Sequence, residues 1–162
     1  MNELIQSLIE CLKQETAHYR RLAVLAGQQK ELLMAGGMEG LPSNVRLEEK
    51  EVFALGPLTA KRDELLAQMA KLQKVKSLSL SEALQRAPVE SIEEFKKAVI
   101  ELVRSAKNLD EVNKTNEKLL DNALSYVNFT LRVIADGGKK RTFAPSLTTT
   151  EEKKSTFVNR VV

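Results

Sequence analysis

The sequence predicts an all-α protein: an elongated antiparallel helical hairpin plus a long third helix, a three-helix coiled-coil-like bundle with a flexible C-terminal tail. Three observations carry this. The 162-residue chain is rich in Leu, Ala, Glu, Lys and Gln and poor in aromatics, the composition of long helices rather than sheets. Apolar residues recur at alternating steps of three and four over three long stretches. Glycine, proline and serine clusters punctuate the chain mainly between those stretches. One bundle domain is expected over residues 1–136, with a basic tail at 137–162.

Helix one is expected at about residues 2–34, with Ile5, Leu8, Leu12, Tyr19, Leu22, Ala26 and Leu33 as its seam. "AGGMEGLPSN" interrupts it with Gly36, Gly37, Gly40 and Pro42. Helix two is expected at 43–76. Gly56-Pro57 should kink or split it, because proline lacks the backbone donor and crowds the preceding turn. If the hairpin turns between Met38 and Glu39, facing residues have numbers that add to 77. Leu8 then meets Met69, Leu12 meets Leu65, and Ile5 meets Leu72. The polar seam residues also match, Glu15 with Arg62 and Gln29 with Glu48. Two readings of Glu15 and Arg62 stand: a register device inside the seam, or a pair at its edge snorkelling to water.

Residues 77–91 form a connector, with a short helix from Leu80 to Arg86 after Ser79 or Ser81 and ended by Pro88. Helix three is expected to open on a capping box, Ser91 with Glu94, and to stop at Asp136-Gly137-Gly138. That is about 45 residues, roughly 68 Å at 1.5 Å each. It should overhang the shorter hairpin, provided it starts level with the hairpin's open end.

The seam of helix three runs Phe95, Val99, Leu102, Ala106, Leu109, then Leu120, Ala123, Val127, Leu131 and Ile134. The gap is filled in register by Asn113 and Asn116. An amide at a core position costs stability but fixes register, because it must find a partner; the alternative is that both are half-exposed. Past Lys118 a second apolar stripe begins: Leu119, Tyr126, Phe129 and Val133. At 100° per residue it lies on roughly the opposite side from Leu120, Leu124, Val127, Leu131 and Ile134. A helix apolar on both sides is either fully buried or prepared for a partner. These nine residues are the expected partner-binding surface, with Tyr126, Phe129, Val133 and Leu119 as the stripe on which a partner helix is expected to dock.

Composition narrows the function further. One cysteine, Cys11, and one histidine, His18, give no basis for a metal cluster, thiol dyad or hydrolase triad, and no phosphate-binding loop is present. An enzyme is not expected, nor a cofactor or metal. No stretch approaches the roughly 20 apolar residues of a membrane span, and "MNELIQ" lacks a basic, apolar secretory start, so stable membrane insertion is not expected, and the single cysteine fits a reducing compartment. The net charge of +3 is misleading: residues 137–162 carry +4 and the rest −1. With no basic stripe interleaved with aromatics, nucleic-acid binding is not expected.

"VNKTNEKLLDNALSYVNFTL" resembles the C-terminal signature of the FlgN family of flagellar export chaperones, an Asn-x-x-Asn followed by paired leucines and a Leu-x-Tyr/Phe segment. "LIQSLIECLKQETAHYRRLAVLAGQQKELLMAGGMEGL" is similar to that family's long first helix. The likeness spans about residues 4 to 134; Gly56-Pro57 and the connector depart from it. It implies a cytoplasmic binding protein that holds the hook–filament junction proteins FlgK and FlgL by their C-terminal helical segments and delivers them to the type III flagellar export apparatus. An amphipathic client helix laid against the surplus stripes is the helix-in-groove mode. Three rivals remain: a chaperone for another flagellar client such as the filament cap, a coiled-coil scaffold that self-associates through the same stripes, and, weakest because the tail lacks a strong apolar face, surface attachment to a membrane through the tail and amphipathic helix.

Overall fold

Helices cover most of the 135 residues, 1–135, that the computed structural model describes. In order they are α1 (Asn2–Ala35), a single 3-10 turn (Met38–Gly40), α2 (Leu41–Leu72), α3 (Leu80–Gln85) and α4 (Val89–Ala135). The expected helix stop at Asp136 and the tail lie outside the described residues.

α1 is the central element, packed along both α2 and α4. Its buried residues show why: Ile5, Leu8, Ile9, Leu12, Thr16, Tyr19 and Leu22 occupy more of its circumference than one seam would need. Against them lie Leu55, Leu65, Leu66 and Met69 from α2, and Phe95, Ala98, Leu102, Ala106 and Leu109 from α4. α1 ends where Gly36 takes the left-handed conformation (φ 70°) and Gly37 N–H returns to the Leu32 carbonyl at 2.9 Å. Gly40 is held against the same side chain: a Cβ there would stand 2.9 Å from Leu32 Cδ2.

Three boundaries differ from expectation. α2 starts at Leu41, because Pro42 fits the first turn of a helix, where a missing N–H is not needed. It ends at Leu72 rather than 76. Lys74 adopts φ 56°, its N–H bonds to the Lys71 carbonyl (3.1 Å), and Val75 N–H bonds to the Ala70 carbonyl (3.0 Å). This is a complete helix-closing motif with lysine in glycine's usual place. α4 starts at Val89, directly after Pro88, so Ser91 is inside the helix and buried, and the expected Ser91–Glu94 capping box does not form. Glu94 instead pairs with Lys13 at 2.7 Å. The capping box in this region belongs to α3, where Ser79 Oγ accepts from Glu82 N–H and Glu82 accepts from Ser79 N–H.

α2 is not split at Gly56-Pro57; it runs unbroken as one helix. Gly56, Pro57 and the Phe53 side chain are exposed. The Phe53 carbonyl, which loses its partner to the proline, is thus on the watered side of the helix, where the loss is tolerated.

The hairpin is antiparallel, but its level pairing is not the expected one. Glu15 and Arg62, whose numbers add to 77, do meet at 2.8 Å. Three other contacts pair lower: Cys11 with Leu58, His18 with Glu51 and Leu25 with Asn44 each add to 69. Helical side chains lean toward their own N-terminus. In an antiparallel pair, two long side chains therefore meet from residues whose backbones have already passed each other. Arg62 spans that difference. The expected Ile5–Leu72 core pair is accordingly lost, since Leu72 is 61% exposed while Ile5 is fully buried. Gln29, expected opposite Glu48, turns instead to α4.

α4 runs parallel to α1. Gln6 meets Ser91, Lys13 meets Glu94, Arg20 meets Glu101 and Ala26 meets Asn116, partners whose numbers differ by 81 to 90. The end of α1 at Ala35 is therefore level with residues 116–125. At least the last ten residues of α4, roughly 15 Å at 1.5 Å each, project beyond the closed end of the hairpin.

Candidate functional site

The projecting end of α4 is built by one sequence pattern whose partner stops. Buried residues of α4 are Ser91, Phe95, Ala98, Leu102, Ser105, Ala106, Leu109 and Asn116, and no described residue beyond Asn116 is buried. Stepping on by three and four from Asn116 gives Leu120, Leu124, Val127, Leu131 and Ile134, within about 40° of the same face. These five are 43 to 69% exposed. The surface with which α4 grips α1 thus continues, uncovered, past the point where α1 ends.

The second stripe is placed differently. Leu119, Phe129 and Val133 are half-buried, and of its four members only Tyr126 is exposed. The larger apolar exposure therefore belongs to the continuing seam rather than to the stripe opposite. Near the same closed end Met34 and Met38 are 68% and 56% exposed. Contiguous apolar surface of this kind marks an interaction site or an aggregation hazard.

Just inside the projecting end, buried amides tie three helices together. Asn116 Nδ2 donates to the Ala26 carbonyl (2.8 Å) and to Gln29 Oε1 (2.9 Å), both on α1. From the other side, Asn44 Nδ2 of α2 donates to the neighbouring Leu25 carbonyl at 3.0 Å. Two consecutive carbonyls of α1 thus receive one amide from each flanking helix. The Oδ1 atoms of Asn44 and Asn116 have no partner among the described residues. Asn113, expected alongside Asn116 in this role, is half-buried, and the bonds to α1 belong to Asn116. Asn44 was not singled out from sequence, because it follows Pro42-Ser43 and reads as part of the turn.

Further down the hairpin Glu15 and Arg62 are enclosed, 0% and 3% exposed, so they do not snorkel to water. Burial pushes the Glu15 carboxyl above the usual glutamate range, against the opposing pull of Arg62. Cys11 is buried, its thiol donates to the Leu58 carbonyl at 3.3 Å, and burial pushes its pKa up, which suits core filler rather than a nucleophile. His18 Nδ1 lies 2.6 Å from Glu51, which Arg21 and His18 together hold below the usual carboxylate range. Among the described residues no group of three His, Cys, Asp or Glu side chains is placed to hold a metal, and no helix is long and apolar enough to cross a membrane.

Comparison with models of known protein families matches residues 1–151 to that of the FlgN protein. No curated protein and no solved structure matches the chain.

Proposed function

The chain belongs to the FlgN family and is thereby a flagellar export chaperone; from that premise we propose that it binds the C-terminal helical segments of the hook–filament junction proteins FlgK and FlgL. On this reading it works in the cytoplasm, has no catalytic activity and no cofactor, and passes its clients to the type III export apparatus. The observation that carries the reading is the seam of Leu120, Leu124, Val127, Leu131 and Ile134, which continues the α1-binding face of α4 beyond the end of α1. A client helix laid there takes the lane that α1 leaves, in the helix-in-groove mode.

The energetics suit a chaperone that must let go. Five half-exposed side chains gain only part of the roughly 1.5–3 kcal/mol each that full burial brings, and association offsets several kcal/mol of that. Moderate affinity follows, with release by competition at the export apparatus.

The test is calorimetric titration of the full chain with C-terminal segments of FlgK, FlgL and the filament cap protein. Binding of the two junction-protein segments, lost by at least roughly thirtyfold in Val127→Asp with unchanged helicity, is the expected result. Preference for the cap segment would assign the same surface to that client instead. Binding unaffected by Val127→Asp would place the client elsewhere.

A further inference from the structure

The flanks of the uncovered seam indicate what kind of helix covers it. Charged residues make up 29% of the chain, yet residues 122–131 contain none. On a helix whose seam is Leu120, Leu124, Val127, Leu131 and Ile134, the positions bordering the seam are Glu117, Asp121, Ala123, Asn128, Thr130 and Ala135. Only the two nearest the hairpin are charged, and the rim beyond them is neutral. Along the covered part of α4 the rim is different: Lys13 pairs with Glu94 and Arg20 with Glu101 across the junction with α1. The same helix therefore uses ion pairs where its partner is its own chain and neutral groups where its partner is missing.

Bordering positions set partner choice between paired helices. A neutral rim offers nothing to attract a charged flank. It also leaves such a flank partly desolvated without a counter-charge. We infer that the occupant of this face is a free amphipathic helix with an aliphatic seam at steps of three and four and uncharged amide or hydroxyl residues beside it, selected by packing rather than by charge. This rests on the docking reading above and adds the chemical class of the client segment. A second copy of the chain fits less well. Its matching face is limited to about four turns, from Leu120 to Ile134, whereas a free helix can run on against the closed end of the hairpin. There Met34 and Met38 stand exposed, flexible side chains suited to a variable partner.

The test uses three designed helical peptides with one leucine seam and flanking positions all Gln, all Glu or all Lys, titrated against the full chain and against Leu124→Asp. The Gln-flanked peptide should bind most tightly, by about fivefold or more. Its Kd should move less than about twofold between low and high salt, and Leu124→Asp should abolish binding. Tighter binding of the Glu or Lys peptide, or a Kd that rises more than about fivefold with salt, keeps the docking face but overturns the neutral-flank assignment. Failure of all three peptides on the folded chain, or binding indifferent to Leu124→Asp, removes the docking reading itself. A dimer of the chain that no peptide dissociates would make a second copy the occupant and overturn the inference.

Discussion

Arg62→Met should be among the most damaging single changes in the hairpin. The side chain is 3% exposed, and its Nη1 lies 2.8 Å from Glu15 Oε2; Glu15 is fully buried, with its other oxygen unpartnered among the described residues. Methionine fills the stem's volume but leaves a carboxylate enclosed without its counter-ion. Breaking a buried pair in this way costs about 3–5 kcal/mol, whereas replacing both partners by apolar residues is often neutral or stabilising. Glu15→Leu combined with Arg62→Met should therefore recover the loss or exceed wild type. The pH dependence carries a definite sign. Burial already raises the Glu15 pKa in the folded chain, so the folded form holds its proton to higher pH than the unfolded form. Stability from this group is then greater at low pH and is lost as pH rises from the ordinary carboxylate range through the raised value. Removing Arg62 deletes an attraction that lowers that pKa and widens the window. Urea unfolding followed by circular dichroism at about pH 5 and pH 7.5 should show Arg62→Met regaining stability at the lower pH, the double variant much less. A loss below about 1 kcal/mol at neutral pH, or one indifferent to pH, would show that water reaches the pair and that the register argument is wrong.

Two further substitutions probe the helix ends and the amide layer. Lys74→Gly should stabilise the chain by about 0.5–1 kcal/mol, because lysine holds φ 56° in the position that glycine favours; a loss in thermal melting would mean that its side chain is engaged. Asn116→Leu should change the melting temperature little, since removing an Oδ1 that has no partner among the described residues is set against losing the two bonds that Nδ2 donates to the Ala26 carbonyl and Gln29. Asn116→Asp should lower stability by several kcal/mol by setting a carboxylate against the Ala26 carbonyl; equal melting temperatures for the two variants would contradict the buried geometry.

Much of this architecture was legible in the sequence because burial is periodic. Ile5, Leu8, Leu12, Tyr19 and Leu22 name the core of α1 before any coordinates do, and α4 reads as one long helix. What failed was whatever depends on three-dimensional reach. The level pairing of the hairpin was misjudged because Arg62 leans back along its helix, so the Glu15–Arg62 match held while Ile5–Leu72 did not. The end of α2 was missed because Lys74 does glycine's task, and the start of α4 because Pro88 sets it two residues before the serine that looked like a cap. The binding surface was legible as surplus apolar residues. Which stripe is left open depends on where α1 stops relative to α4, and periodicity within one helix does not contain that information.

Hydrogen exchange along α4, read with and without a FlgK-type C-terminal segment, tests the central claim most directly. In the free chain, amides at 120–134 should exchange much faster than those at 95–109, whose side chains are packed against α1. With the segment bound, 120–134 should slow by about tenfold or more while the α1–α2 hairpin changes little. Equal protection along the whole of α4 in the free chain, or a client footprint confined to the hairpin, would contradict the account.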